Sequence, residues 1–116
     1  MNKIIVGKDI VWRKGLTAAD LLHELDENRP LVGLVINGRY GARSHFAKIK
    51  IPDRAEVEFI PWREGMTVRE LLAYEMDEAY FCAAMINGLL IPEDRFDTSF
   101  IPENAEVWLL TVVGGG

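Results

Sequence analysis

The sequence predicts an α+β protein made of two similar small units, each a small twisted sheet with one helix packed across a face. Three observations predict this architecture. The residue pattern recurs at an interval of fifty positions. In each copy a glycine precedes a predicted helix start, and a short apolar run ends at Asn-Gly. Helical and strand patterns that lie in separate blocks of a short unit are typical of this fold class.

The repeat is clearest around two tryptophans. The segment "WRKGLTAADLL" from Trp12 aligns with "WREGMTVRELL" from Trp62. The same offset aligns the two "ING" triplets, and "IPDRAEV" with "IPENAEV". Because no gap is needed at any point, we interpret the chain as a tandem duplication with a first unit at 1–60 and a second at 61–116.

Each unit has one predicted helix. Thr17 begins the first and Thr67 the second, and an acidic residue follows three positions later in both, the spacing of a capping box. Apolar residues then recur at helical spacing, which predicts one buried stripe per helix: Ala18, Leu21, Leu22 and Leu25 in the first, and Val68, Leu71, Leu72 and Met76 in the second.

Strands are predicted after each helix. The runs "LVGLVI" and "FCAAMI" both end on Asn-Gly, which tolerates the positive φ angles of a tight hairpin turn. Final strands follow in "AEVEFIPW" and "AEVWLLTVV". At the N-terminus, "KIIVG" is predicted to pair with "DIVWR" through a corner at Gly7-Lys8.

The segment 56–63 matches two different parts of the repeat, the last strand of the first unit and the second strand of the second unit. We predict two units joined closely through a strand shared at 56–63; a second unit that lacks its first strand is the alternative. Whether the conflict is solved within one chain or by exchange in a domain-swapped dimer stays open. No Gly/Ser-rich linker separates the halves, so we expect a rigid junction.

Composition and charge exclude several classes of function. The chain has 116 residues, 49% of them hydrophobic, and a net charge of −5, which argues against nucleic-acid binding. No apolar run approaches the roughly 18–20 residues of a membrane span, and the first residues lack the pattern of a signal peptide. With one cysteine, a cytoplasmic protein is expected. The charge is uneven: ten basic and seven acidic residues over 1–57 give +3, and three and eleven over 58–116 give −8.

The second unit resembles a known family. Its "GMTVRELL", its "MING" followed by "LLIPEDRF", and its "IPENAEVWLLTVVGGG" at the chain end have the order and spacing found in the ubiquitin-like sulfur carriers. The thiamine-pathway carrier (ThiS) is the most similar, and the small subunit of molybdopterin synthase (MoaD) is next. The resemblance covers about Val57 to Gly116, more weakly the first unit, and implies the β-grasp (ubiquitin-like) fold for both.

The resemblance implies a role for the C-terminus. In this family the terminal carboxylate attacks the α-phosphate of ATP on an activating enzyme, and the acyl-adenylate accepts sulfur to become a thiocarboxylate. Gly116 would accept the sulfur, with Gly114 and Gly115 in the tail. A terminal carboxyl has a pKa of roughly 3.3–3.7 and is ionised at neutral pH. Glycines can also thread a narrow cleft without side-chain clashes.

The resemblance also implies the partners. They are a ubiquitin-activating-type adenylyltransferase similar to ThiF or MoeB, a sulfur donor such as a cysteine desulfurase, and an acceptor of the thiazole synthase or molybdopterin synthase type. We expect no bound cofactor and no enzymatic activity, because the partner would use the ATP and perform the chemistry. The first unit continues into "PWREG" and has no free glycine tail, so it would not itself carry sulfur.

Trp108 and Leu110 are candidate partner-binding residues. On the last strand, Val107 and Leu109 are expected to face the helix, which turns the two alternate side chains outward. Large outward apolar residues mark either the seam between the units or a partner-binding surface. The alternative function is therefore a non-catalytic ubiquitin-like module or regulatory subunit that docks through its sheet face. Conjugation of the tail to protein lysines is a third possibility.

Few other residues suggest chemistry. Cys82 lies in an apolar run, where a buried cysteine behaves as a small hydrophobe; a persulfide relay is the alternative. His23 and His45 have no cysteine or second histidine nearby, so no metal site is predicted. Acidic residues of the second unit, among them Glu93 and Asp94, form either a solvated face or a docking patch.

Overall fold

A computed structural model of the chain describes residues 3–5, 9–26, 28–74, 76 and 81–111. Within these residues the strands β1 to β8 are Lys3–Ile5, Asp9–Val11, Leu31–Ile36, Arg39–Ala42, Val57–Pro61, Ala83–Ile86, Leu89–Pro92 and Val107–Leu110. The helices are α1, Ala18–Glu24, and α2, Val68–Leu71. Two 3₁₀ turns lie at Arg43–His45 and Glu93–Arg95.

The first unit is an antiparallel sheet in the order β4-β3-β5 with α1 packed against it. The helix begins at the predicted capping box. Thr17 Oγ1 accepts from the Asp20 backbone N–H at 3.1 Å, and the Asp20 carboxylate accepts from the Thr17 N–H at 3.0 Å. These bonds to Thr17 lower the pKa of the Asp20 carboxyl. The buried side chains between helix and sheet are Leu16, Ala18, Leu21, Leu31, Leu34, Phe46, Ile51, Ala55, Val57 and Phe59.

From its helix onward, the second unit has the same element order as the first in its described part. Its antiparallel sheet is β7-β6-β8, and α2 begins at a second complete capping box, formed by Thr67 and Glu70. Val68 and Leu71 are fully buried against the sheet. Two three-stranded antiparallel sheets with one short helix each are compatible with β-grasp units.

The two units contain matching tryptophan hydrogen bonds at equivalent positions of the repeat. Trp12 Nε1 donates to the Ile51 carbonyl at 2.7 Å, and Trp62 Nε1 donates to the Ile101 carbonyl at 2.6 Å. Each tryptophan thus ties the strand before the helix to the segment before the last strand.

The two Asn-Gly corners are confirmed as tight turns. Asn37 and Asn87 have φ angles of 47° and 50°, which asparagine tolerates better than most residues. The side-chain oxygen of each also accepts a backbone N–H at 2.9 Å, from Glu56 and Glu106 respectively. Each corner is therefore fastened to the start of the last strand of its unit.

The N-terminal pairing is confirmed, whereas the shared strand needs correction. β1 pairs antiparallel with β2, and the predicted corner at Gly7-Lys8 lies outside the described residues. The strand predicted to serve both units at 56–63 is Val57–Pro61, and it pairs with β3 of the first sheet. In the described part of the chain, the sheet of the second unit consists of β6, β7 and β8. The sequence could not assign this strand to one unit, because the segment matches two positions of the repeat.

The two units pack against each other along a continuous core. Val32, Val35 and Ile60 point away from α1 and belong to one buried cluster with residues of the second unit, including those of α2. β4 lies next to β8, and Tyr40 Oη donates to the Val107 carbonyl at 2.9 Å. We call this contact between the units the seam.

Candidate functional site

The glycine tail continues from a strand that is held firmly. The predicted residues Gly114, Gly115 and Gly116 lie outside the described part of the chain, which ends at 111. β8 pairs with β6 along its whole length, and the Leu110 carbonyl accepts the Cys82 N–H at 2.9 Å. The chain is thus fixed in the sheet to within a few residues of the tail.

The other edge of β8 meets the first unit. Tyr40 Oη bonds the Val107 carbonyl, and burial of the ring raises the pKa of the Tyr40 hydroxyl. Close by, Ser44 Oγ and a carboxylate oxygen of Glu106 are 2.8 Å apart. The strand leading to the tail is therefore held from both edges.

The strands β6, β7 and β8 form an apolar sheet face that faces away from α2, which we call the open face. Strand register places Met85 directly between Leu90 and Trp108, and Ala83 directly between Pro92 and Leu110. Ala84, which lies between Ala83 and Met85 on β6, and Val107, which precedes Trp108 on β8, are fully buried on the α2 side.

The open face is accessible over much of its area. Leu90 is 57% exposed and Leu110 is 38% exposed, while Met85 and Trp108 are half-buried. Contiguous exposed apolar side chains are uncommon on a monomer surface and mark interaction sites. A partner that docked here would lie against β8, the strand that precedes the tail in the sequence.

Trp108 lies where the open face meets the seam. The His45 ring packs edge-on against the indole, with ring centroids 4.6 Å apart and an interplanar angle of 84°. Trp108 therefore contacts the first unit and keeps part of its surface exposed. Binding of a partner by Trp108 and Leu110 stays a prediction.

The remaining candidate residues are not brought together into a chemical centre. Cys82 is half-buried, less than a core strand position would suggest, with its Sγ 3.5 Å from the Leu110 carbonyl. His23 is exposed on α1, distant in sequence from the seam residue His45. Glu93 and Asp94 form the first turn of the second 3₁₀ segment, consistent with a solvated face.

Two further absences concern only the part of the chain that the structure describes. Its helices are too short to cross a bilayer. Its His, Cys, Asp and Glu side chains nowhere cluster in threes as potential metal ligands.

Met85, Leu90 and Tyr40 were not singled out from the sequence. Strand alternation could also have found Met85 and Leu90, because the Asn-Gly corner between β6 and β7 pairs these two residues across the sheet. Tyr40 had no such signal: it aligns with Leu90 in the repeat, and its bond depends on how the units pack.

The family comparison adds to this geometry. Residues 62–116, which contain α2, β6 to β8 and the glycine tail, match the model of the ThiS family. The resemblance to the ubiquitin-like sulfur carriers is thereby confirmed for the second unit. ThiS-family proteins are small sulfur carriers rather than catalysts.

No curated protein and no solved structure matches the chain.

Proposed function

We propose that the protein is a sulfur carrier whose C-terminal Gly116 is adenylated and then converted to a thiocarboxylate. The observation that carries this proposal is the match of residues 62–116 to the ThiS family, which extends through the glycine tail to the last residue. The geometry supports it, because β8 is held in the sheet as far as Leu110 and has an accessible apolar face beside it.

The proposed chemistry needs little from this chain beyond a presented carboxylate. The ionised carboxyl of Gly116 attacks the α-phosphorus of ATP, and pyrophosphate leaves. The outer sulfur of a cysteine persulfide, formed by a cysteine desulfurase as a suitable sulfur donor, then attacks the acyl carbon, and AMP leaves. A second thiol attacks the cysteine sulfur of the resulting acyl disulfide, which frees the thiocarboxylate and leaves the two thiols joined as a disulfide. Adenylation and sulfur transfer would take place on a ubiquitin-activating-type adenylyltransferase.

The chain would contribute binding and presentation. Side chains of the open face, chiefly Leu90 and Trp108, would dock on the activating enzyme. The glycines would then enter its nucleotide cleft, where a side chain would obstruct the approach. The cargo would pass to thiazole synthesis for thiamine or to a molybdopterin-type pathway, through the corresponding synthase.

The experiment is intact-mass analysis after incubation with the activating enzyme, ATP and a sulfur donor. We expect an increase equal to the difference between one sulfur and one oxygen atom. A variant lacking Gly115 and Gly116 should show no increase, and Cys82→Ser should show the full increase, which separates a thiocarboxylate from a cysteine persulfide. An unchanged mass of the wild-type chain with its cognate enzyme would contradict the proposal.

The open face supports a second candidate, a non-catalytic module that docks on a larger enzyme. The same deletion separates the two functions. A module should keep its partner affinity and its effect without Gly115 and Gly116, whereas a carrier should retain docking but lose all sulfur transfer.

A further inference from the structure

Among the described residues, the second unit has no N-terminal hairpin of its own before α2. In the first unit the hairpin of β1 and β2 precedes α1, and β1 lies beside the last strand, β5. At the offset of fifty, the equivalent of β2 falls on residues 59–61, which belong to β5 of the first sheet. Among the described residues, no strand of the second unit lies on the side of β8 away from β6.

β4 of the first unit lies at that place. The carbonyls of Glu106 and Leu110 accept amides from the β6 side, so the alternation of an antiparallel strand directs the Val107 carbonyl away from β6. That outward carbonyl accepts the bond from Tyr40 Oη at 2.9 Å. A side chain of β4 thus occupies a position on β8 at which a neighbouring strand would bond.

Side chains of the first unit also cover the core of the second unit. Ile60 has no exposed surface and Val32 is 2% exposed, although both lie on the side of their sheet that faces away from α1. Both belong to the cluster that contains Val68 and Leu71 of α2. The first sheet therefore covers apolar surface that the three-stranded second sheet leaves uncovered.

We propose that the first unit serves as the built-in replacement for the missing N-terminal hairpin of the second unit. Within it, Tyr40 is a positioning residue that holds β8 and, through it, the origin of the tail. This assigns the unit without a tail a function: it completes the fold of the unit that has one. Only the last step, presentation of the tail, rests on the proposed carrier function.

Amide hydrogen exchange in the full-length chain tests the structural part. Tyr40→Phe keeps the ring and removes the donor to Val107. The Asn87 amide, which bonds the Glu106 carbonyl in the second sheet, should exchange roughly three- to tenfold faster. The Ile51 amide, which bonds the Leu16 carbonyl inside the first unit, should be unaffected.

Tyr74→Phe is the matched control, because Tyr74 packs against the same core from the second unit. It should leave the exchange of Asn87 near the wild-type rate. Equal acceleration of Asn87 and Ile51 in Tyr40→Phe, or no acceleration of either, would overturn the proposed role of Tyr40.

Tail presentation is tested with the activating enzyme at a temperature at which both variants are folded. Tyr40→Phe should raise the KM for the carrier roughly threefold or more with little change in kcat, and Tyr74→Phe should not. An unchanged KM alongside faster exchange of Asn87 would limit Tyr40 to the fold. Absence of adenylation with wild-type chain would instead refute the carrier function and leave the exchange result standing.

Discussion

The two units use the same sheet face in opposite ways. In the first unit the face away from the helix is buried in the seam, with Val35 at 5% exposure and Ile60 at none. In the second unit the aligned positions are Met85 and Leu110, which remain partly exposed. Because this face of the first unit is buried against the second unit, it is the face of the second unit that stays accessible in the described part of the chain.

The two units also differ in net charge. Segment 1–57 has a net charge of +3 and segment 58–116 of −8, and the described contact between Ser44 and Glu106 crosses the seam. The net negative charge of the second segment favours partners with basic docking sites, since complementary charge speeds encounter. Trp108 aligns with Glu58, so the second unit is apolar where the first is charged.

The largest expected effect comes from one pair of aligned positions. Ile60→Ala should lower the free energy of unfolding by about 2–5 kcal/mol, because it leaves a cavity in the seam. Leu110→Ala, fifty positions later, should cost less than about 1 kcal/mol, because the side chain is 38% exposed. Urea unfolding of both full-length variants measures the difference. Equal losses would mean that the two faces are not used differently.

Much of this comparison was predictable from the sequence, except for the packing of the units. The capping boxes at Thr17 and Thr67 and the corners at Asn37 and Asn87 depend on residues a few positions apart, so local chemistry determines them. The seam depends on which face the other unit covers. The bond from Tyr40 to Val107 spans 67 positions and has no local signature.

The candidate site was predictable to a similar extent. Strand alternation predicted outward side chains at Trp108 and Leu110. The contact between Trp108 and His45 could not be predicted, because it depends on how the two units pack. The sequence could not assign Val57–Pro61 to one unit, because its residues match two positions of the repeat. Its pairing with β3 assigns it to the first sheet.

The next effect concerns binding rather than stability, and rests on the proposed function. Leu90→Ser should change the free energy of unfolding by no more than about 0.5 kcal/mol, because the side chain is largely in solvent. It should weaken docking on the activating enzyme by about 1–2 kcal/mol, roughly five- to thirtyfold in affinity.

Phe100→Ser is the control for Leu90→Ser. Phe100 is 65% exposed but lies beside Thr67 at the start of α2, away from the open face. Calorimetric titration should show nearly unchanged affinity for this variant. Similar weakening by both substitutions would indicate a general dependence on exposed apolar surface and would argue against the open face as the docking site.

The smallest effect separates the two helix starts. Thr17→Ala and Thr67→Ala should each lower the free energy of unfolding by about 1 kcal/mol, because each removes the acceptor for a backbone N–H in the first turn. Thr98→Ala, at an exposed threonine outside both helices, should change it by less than about 0.5 kcal/mol. If the units unfold together, both cap variants should show one cooperative thermal transition.

The stabilising effect of the first helix cap should depend on pH. The bonds to Thr17 lower the pKa of the Asp20 carboxyl below its usual 3.8, so the ionised form stabilises the folded state. This contribution is fully present above the unfolded-state pKa and is lost as the pH falls through the lowered, folded-state pKa. The difference in melting temperature between wild type and Thr17→Ala should therefore shrink in that acidic range. A difference that stayed constant down to the lowest pH at which the protein folds would show that the threonine acts at this helix start without help from the charge of Asp20.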